Sequence, residues 1–251
     1  MAAFHRLESA EYKIDCIDKK KRKRKAPSPF ITSRLQQAAA KKLNFTAKRT
    51  MTLAQQLYEG VELGRDGSVG LITYMRTDSA RIADDALKWA RTHIKTTYGE
   101  EYLPKSSNRF STKKNAQDAH EAIRPTSMKY TPDRVKPHLN HDQFRLYSLI
   151  WRQFVACQMT PAIYDQTTVD ILAAGYRLRA TGSVLNFNGY LAAHGVEAGK
   201  ESALTEVEGF QVLKEGALPA LGAGEILKCH KAFPKQHFTK PPPRFTESSL
   251  V

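Results

Sequence analysis

The sequence predicts an α+β protein of more than one domain, with a mainly helical region followed by a β-rich one. Three observations carry this. Apolar residues recur at three- and four-residue spacing through residues 33–160, the period of amphipathic helices. From Tyr164 onward the period changes to two, that of half-buried strands. The charge divides the chain in the same way. The 251 residues hold 39 Lys and Arg against 25 Asp and Glu, a net charge of +14. Residues 1–32 are net +5, residues 33–157 net +9 and residues 158–251 neutral. The divisions that follow are 1–31, 32–157 and 158–251.

In the first division, Tyr12-Lys13-Ile14-Asp15-Cys16-Ile17 alternates and reads as a short strand. Seven consecutive basic residues follow at 19–25, then Ala26-Pro27-Ser28-Pro29. Self-repelling charge ahead of two prolines predicts a solvated hinge or linker. A targeting signal is the other reading of such a run.

The helical division opens with Ser33 and Gln36, spaced as a capping box before residues 35–43. Thr46 caps a second helix whose Met51, Ala54, Leu57 and Tyr58 share a face, with Gly60 at its end. Beyond a turn at residues 65–68, residues 69–75 form a short buried strand. A helix over 83–98 stops at Gly99, and a polar loop at 104–115 is exposed and mobile. Asn140 and Gln143 cap a long helix with Phe144, Tyr147, Trp151 and Phe154 along its stripe. In the last division, residues 168–171 and 176–180 alternate as strands, and 225–238 resemble a further strand pair. Thr246 and Glu247 open a helix.

No apolar run approaches the ~20 residues of a membrane helix, so no membrane partner is expected. Cys16, Cys157 and Cys229 stand far apart without a CxxC pair. That argues against a disulfide framework or a cysteine zinc site and fits a reducing cytosol. The basic excess points to a polyanion, above all nucleic acid, bound by the +9 middle division.

The chemistry concentrates in two short segments. Tyr74 is followed at once by Met75-Arg76-Thr77-Asp78-Ser79. On a strand, positions 74 and 76 share a face. A phenol and a guanidinium on one face suit attack on a phosphate, with the phenolate as nucleophile and the guanidinium forking the phosphate oxygens. A phenol of pKa ~10 is a poor nucleophile at neutral pH unless nearby cations favour its phenolate. Arg76, His120 and Arg124 are the candidates. The second segment, Ala119-His120-Glu121-Ala122-Ile123-Arg124-Pro125, sets a histidine beside an acid and a base. Glu121 and Arg124 either pair to hold the loop or contact nucleic acid directly.

Together, Gly70-Leu71-Ile72-Thr73-Tyr74-Met75-Arg76-Thr77-Asp78-Ser79 and residues 119–125 closely resemble the active-site segments of type IA DNA topoisomerases such as bacterial topoisomerase I. Residues 29–39 resemble that family's entry into its tyrosine domain, and residues 149–162 its exit. Residues 236–242 and 244–247 resemble the return from its arch domain.

The resemblance implies a helical tyrosine domain at 32–157. The arch domain would comprise 1–31 and 158–251, cut short at its C-terminal end. Tyr74 corresponds to the nucleophile that forms a 5′-phosphotyrosine, Arg76 to the arginine on the scissile phosphate and His120 to the nearby histidine. Asp78 would orient the imidazole. The implied activity is relaxation of negatively supercoiled DNA through a transient single-strand break, without ATP; no P-loop pattern occurs. The implied partner is DNA, especially single-stranded, and the implied location the cytoplasm, at the nucleoid.

The family's Mg²⁺ site lies in a Toprim domain, whose acidic pattern is not found here. No metal ligand is therefore expected within these residues. The chain reads as a central fragment, inactive alone, whose partners include the missing Toprim and adjoining domains. Residues 60–68 form a longer connection than the family's compact form leads one to expect. The alternatives are a non-enzymatic single-stranded nucleic-acid-binding module, with Tyr74 in the core, or a relative of topoisomerase III or reverse gyrase.

Overall fold

The computed structural model describes residues 2–110, 120–197 and 216–250. A short helix α1 (Ala2–Glu8) precedes a thirteen-residue strand β1 (Tyr12–Arg24). The basic run is thus no hinge: all but its last residue belongs to β1. Backbone bonding along a ladder outweighs the repulsion, because the charged heads stay in water, where salt screens them. The prolines still act as expected, and the strand stops before them.

Helices α2 (Thr32–Leu43) and α3 (Ala47–Glu59) follow, joined at Asn44, whose φ of 57° places it in the left-handed region that asparagine tolerates. Thr46 caps α3 as expected, its hydroxyl accepting from the Arg49 amide, and Gly60 closes the helix. The predicted Ser33 cap is corrected. α2 starts at Thr32, Ile31 holds the cap position and no side chain caps the helix. Strands β2 (Val61–Glu62) and β3 (Ser68–Val69) make a small hairpin. Asp66, near its turn, pairs with Lys129 and Arg134 at 3.0 and 2.9 Å.

Helix α4 (Asp84–Thr97) carries two aspartates in its first turn, where negative charge suits the helix dipole. Residues 111–115 of the predicted mobile loop lie outside the described residues. In the part before them, Asn108 is tied down, donating to the Cys157 and Met159 carbonyls at 2.9 and 3.2 Å. A one-turn helix α5 (Pro132–Val135) precedes the central helix α6 (His141–Cys157). Asn140 and Gln143 form the expected capping box, and from residue 146 to 157 all but Arg152 are buried.

Strands β4 (Ala162–Ala173) and β5 (Tyr176–Phe187) form a hairpin through Ala174 and Gly175. Both turn residues have positive φ, the geometry whose twist matches a two-residue hairpin. β1 lies antiparallel on the other side of β4, from Lys13 opposite Leu172 to Arg24 opposite Ala162. Of residues 225–238, only β6 (Ile226–Leu227) forms a strand; it pairs with Tyr12 and Lys13, giving the order β5-β4-β1-β6. A last turn of helix, α7 (Glu247–Leu250), begins where expected.

One hydrophobic core joins α2, α3 and α6 to residues 71–75, Ile123 and the 190–196 segment. A smaller cluster links α4 to Ala122, Phe154 and Cys157. Each fully buried side chain of Leu or Ile size contributes about 1.5–3 kcal/mol relative to exposure. The two chemistry-bearing segments run between these clusters.

Candidate active site

Residues 70–79 belong to no sheet beyond Val69 and bend at Thr73, Met75 and Arg76, which corrects the predicted strand over 69–75. The segment takes its partners one at a time. Leu71 donates to the Leu57 carbonyl at 2.7 Å, Thr73 to Arg124 O at 2.9 Å, and Thr126 donates to Leu71 O at 3.1 Å. Ile72 and Pro125 form an isolated bridge. Among the described residues no strand runs alongside, so a continuous ladder has nothing to form against. Gly70 makes the close approach possible: a Cβ there would lie 2.5 Å from the Tyr58 carbonyl oxygen.

The alternation survives without the ladder. Met75, Thr77 and Ser79 are buried, while Tyr74, Arg76 and Asp78 face outward. Tyr74 is 44% exposed, and its ring meets Tyr58 edge-on at a centroid distance of 5.4 Å. Tyr74 and Arg76 are thus both exposed, but the backbone between them bends at residues 75 and 76, so the i, i+2 rule for a strand does not apply here.

Two threonines lock the segments together. Thr73 Oγ1 donates to Ala122 O at 2.7 Å and accepts from the Arg124 amide at 3.0 Å. Thr32 Oγ1 donates toward Met75 O at 2.7 Å and accepts from the Thr77 amide at 2.8 Å, while the Thr32 amide donates to Thr77 O at 2.9 Å. This engagement takes Thr32 into the site instead of leaving it as a cap. Phe30 O accepts from the Ile123 amide at 2.8 Å, closing the ring of contacts around His120.

These contacts frame a cavity of about 530 Å³ lined by Ile31, Thr32, Ser33, Arg76, Thr77, Asp78 and His120. The N-terminus of α2, the positive end of its dipole, opens onto it. Arg76 and His120 make no ion pair among the described residues. Asp78 lines the same cavity but makes no hydrogen bond to His120. Tyr74 is not part of the lining; it lies two residues before Arg76 in the chain and packs against Tyr58.

Glu121 and Arg124 stand apart from this group. Arg124 Nη2 and Nε donate to one Glu121 carboxylate oxygen at 2.6 and 3.0 Å, and Nη1 donates to Pro125 O at 2.9 Å. Both side chains are largely buried, at 11% and 20% exposed. The pair holds the loop, and the guanidinium spends its donors within the protein. Ala119 lies outside the described residues. Sequence reasoning missed Thr32, Ser33 and Tyr58 as parts of the site. The available signal was a threonine next to a helix start and a tyrosine on the outer edge of a helix face.

A cavity with a guanidinium, an imidazole and a helix N-terminus is equipped to receive a phosphate group. The family described as DNA topoisomerase matches residues 1–251.

The chain belongs to the DNA topoisomerase family.

Among solved structures, it is similar to full-length topoisomerase I from Thermotoga maritima, with 36% sequence identity and a TM-score of 0.79. The match covers 99% of this chain and 38% of the Thermotoga chain. This topoisomerase chain thus spans well under half the length of the structure that it resembles. The helical region around Tyr74 and the antiparallel sheet beyond it make its α+β architecture. Among the described residues, no helix is long and apolar enough to cross a membrane.

Proposed function

We propose that this chain is the strand-cleaving part of a type IA topoisomerase, with Tyr74 as the nucleophile. The observation that carries this is the outward row of Tyr74, Arg76 and Asp78, of which Arg76 and Asp78 share a cavity with His120. A non-enzymatic module with Tyr74 packed in the core is disfavoured by the 44% exposure of that residue.

In this reading one DNA strand lies over the cavity with a phosphate near Arg76, His120 and the start of α2. The Tyr74 phenol loses its proton, and its oxygen attacks phosphorus. The bond to the 3′ oxygen breaks, that oxygen takes up a proton, and the 5′ phosphate stays on Tyr74. The reaction exchanges one phosphoester for another, so it needs no ATP. Religation is the same step reversed. Arg76 neutralises the charge that gathers on the phosphate, the role for which fixed cations are best suited.

Among the described residues, no group of three or more His, Cys, Asp or Glu is placed to hold a metal. These residues do not fit a resident Mg²⁺. We assign that ion to a Toprim domain outside these residues. We likewise assign residues 32–157 to the tyrosine domain, residues 1–31 and 158–251 to the arch, and the protein to the bacterial cytoplasm.

The deciding experiment places Tyr74→Phe in the longer polypeptide together with a Toprim domain. The covalent adduct with a single-stranded oligonucleotide is expected to vanish, and an adduct that persists overturns the assignment of Tyr74. The 251-residue chain alone is expected not to relax a supercoiled plasmid, and robust relaxation would refute the view that it holds half a site.

A further inference from the structure

The basic run at residues 19–25 is the largest block of charge that the proposed cleavage chemistry leaves unused. All but Lys25 lies on β1, which β6 covers only at Tyr12 and Lys13. Among the described residues, the strand from Asp18 onward has a ladder partner on one side only, β4. Lys19, Lys21 and Lys23 stand on one face, opposite Thr167, Asp165 and Ile163. Lys20 and Arg22 stand on the other, opposite Gln166 and Tyr164. All five are exposed.

Two members of the run have partners. Lys20 pairs with Asp18 at 2.5 Å, and half-buried Arg24 lies beside the Tyr164 phenol. Among the described residues, Lys19, Lys21, Arg22, Lys23 and Lys25 have no ion pair. Unneutralised cations in a row attract a polyanion and release its counterions on contact. Same-face side chains on a strand recur about every 6.8 Å, so successive lysines can meet successive phosphates of an extended single strand.

The chain leads from this edge directly into the cavity. Gln153 holds the Ser28 carbonyl at 2.7 Å, Phe30 bridges to Ile123, and Ile31 and Thr32 form part of the cavity wall. We propose that the basic half of β1, through the exposed Lys19, Lys21 and Lys23 flanked by Arg22 and Lys25, is a second DNA contact that tracks the backbone of a single strand running to the cavity. This rests on the reading of the chain as a DNA-cleaving topoisomerase, but its test does not involve cleavage.

Lysines on an edge strand also prevent pairing with another edge. Protection needs charge of either sign, whereas a phosphate contact needs positive charge, so charge reversal separates the two. The measurement is fluorescence anisotropy of a labelled oligothymidine of about 20 nucleotides titrated with the chain. The combined variant Lys19→Glu, Lys21→Glu, Lys23→Glu is expected to bind about tenfold more weakly or worse, and to flatten the log–log salt slope by about 2, roughly 0.7 per lost phosphate contact. The corresponding triple Lys→Arg variant is expected to keep both.

Unchanged affinity and slope in a glutamate variant that melts like the parent overturns the proposal. If that variant does not fold, acylation of the parent chain decides. Lys19, Lys21 and Lys23 are expected to be shielded by the bound oligothymidine, and equal labelling with and without it overturns the contact. A duplex that competes as well as the single strand overturns the single-strand assignment. A persistent adduct in Tyr74→Phe would refute the cleavage reading and leave this contact standing.

Discussion

Two segments of this protein outside its helices are built in opposite ways. β1 is held by a long, nearly regular ladder to β4, with β6 only at its start, and Ile14 is its one fully buried residue. Residues 70–79 have no ladder, yet Leu71, Ile72, Met75, Thr77 and Ser79 are buried, and the segment is tied to α2, α3 and the 122–126 loop. The comparison shows what each arrangement supplies. A ladder repeats side chains at even intervals over a distance. Bonds from several directions, with every second side chain sealed in the core, fix one outward side chain in place. The first suits a run of lysines that follows a polymer; the second suits a nucleophile.

The comparison breaks most readily at the core beneath Tyr74. Leu71→Ala, at a fully buried position, is expected to cost about 2–5 kcal/mol in urea unfolding. Val184→Ala, on β5 and 43% exposed, should fall within about 0.5 kcal/mol. Similar losses at the two positions would show that the sheet is as tightly built as the site.

A smaller effect is expected from Thr32→Val, which removes the acceptor of the Thr77 amide. Leaving that buried group unpaired costs about 1–3 kcal/mol. The Thr77 amide should then exchange with solvent faster while amides in the middle of α6 stay unchanged. Equal acceleration in both would mean that Thr32 supports global stability and not the site.

The smallest effect concerns the β2–β3 hairpin, which leads into residues 70–79. Lys129 and Arg134 beside Asp66 hold its carboxyl below the ordinary value of 3.8. A carboxyl lowered on folding adds stability above its unfolded pKa, and that stability fades as pH falls through the folded value. Amides of residues 61–69 should therefore lose protection below about pH 4, before those of α6. Protection that stays level under acid would show that the hairpin does not depend on this pair.

Local signals made much of the helical frame legible. Thr46 and the Asn140–Gln143 box set helix starts with groups only three residues apart, so no distant partner is needed to recognise them. β1 was legible only at its beginning. The partner that carries it through the basic run is β4, far along the chain, and nearby charges suggest only repulsion. The site divided similarly. The alternation of Tyr74, Arg76 and Asp78 is a property of consecutive residues and could be read. The roles of Thr32 and Tyr58 depend on which segments meet in space. A threonine beside a helix start looks like a cap until its hydroxyl is found on Met75 and Thr77.

The Gly70 contact has a consequence for any survey of tolerated substitutions. Its φ lies outside the left-handed region that favours glycine, so what the position demands is room: a Cβ would press on the Tyr58 carbonyl oxygen. Any larger residue must push apart the end of α3 and the start of the segment that bears Tyr74, separating two rings that now touch. Position 70 would therefore score as intolerant as the nucleophile itself, although it offers no functional group. A map of intolerance over this surface marks out the spacing of the backbone as much as the chemistry it carries.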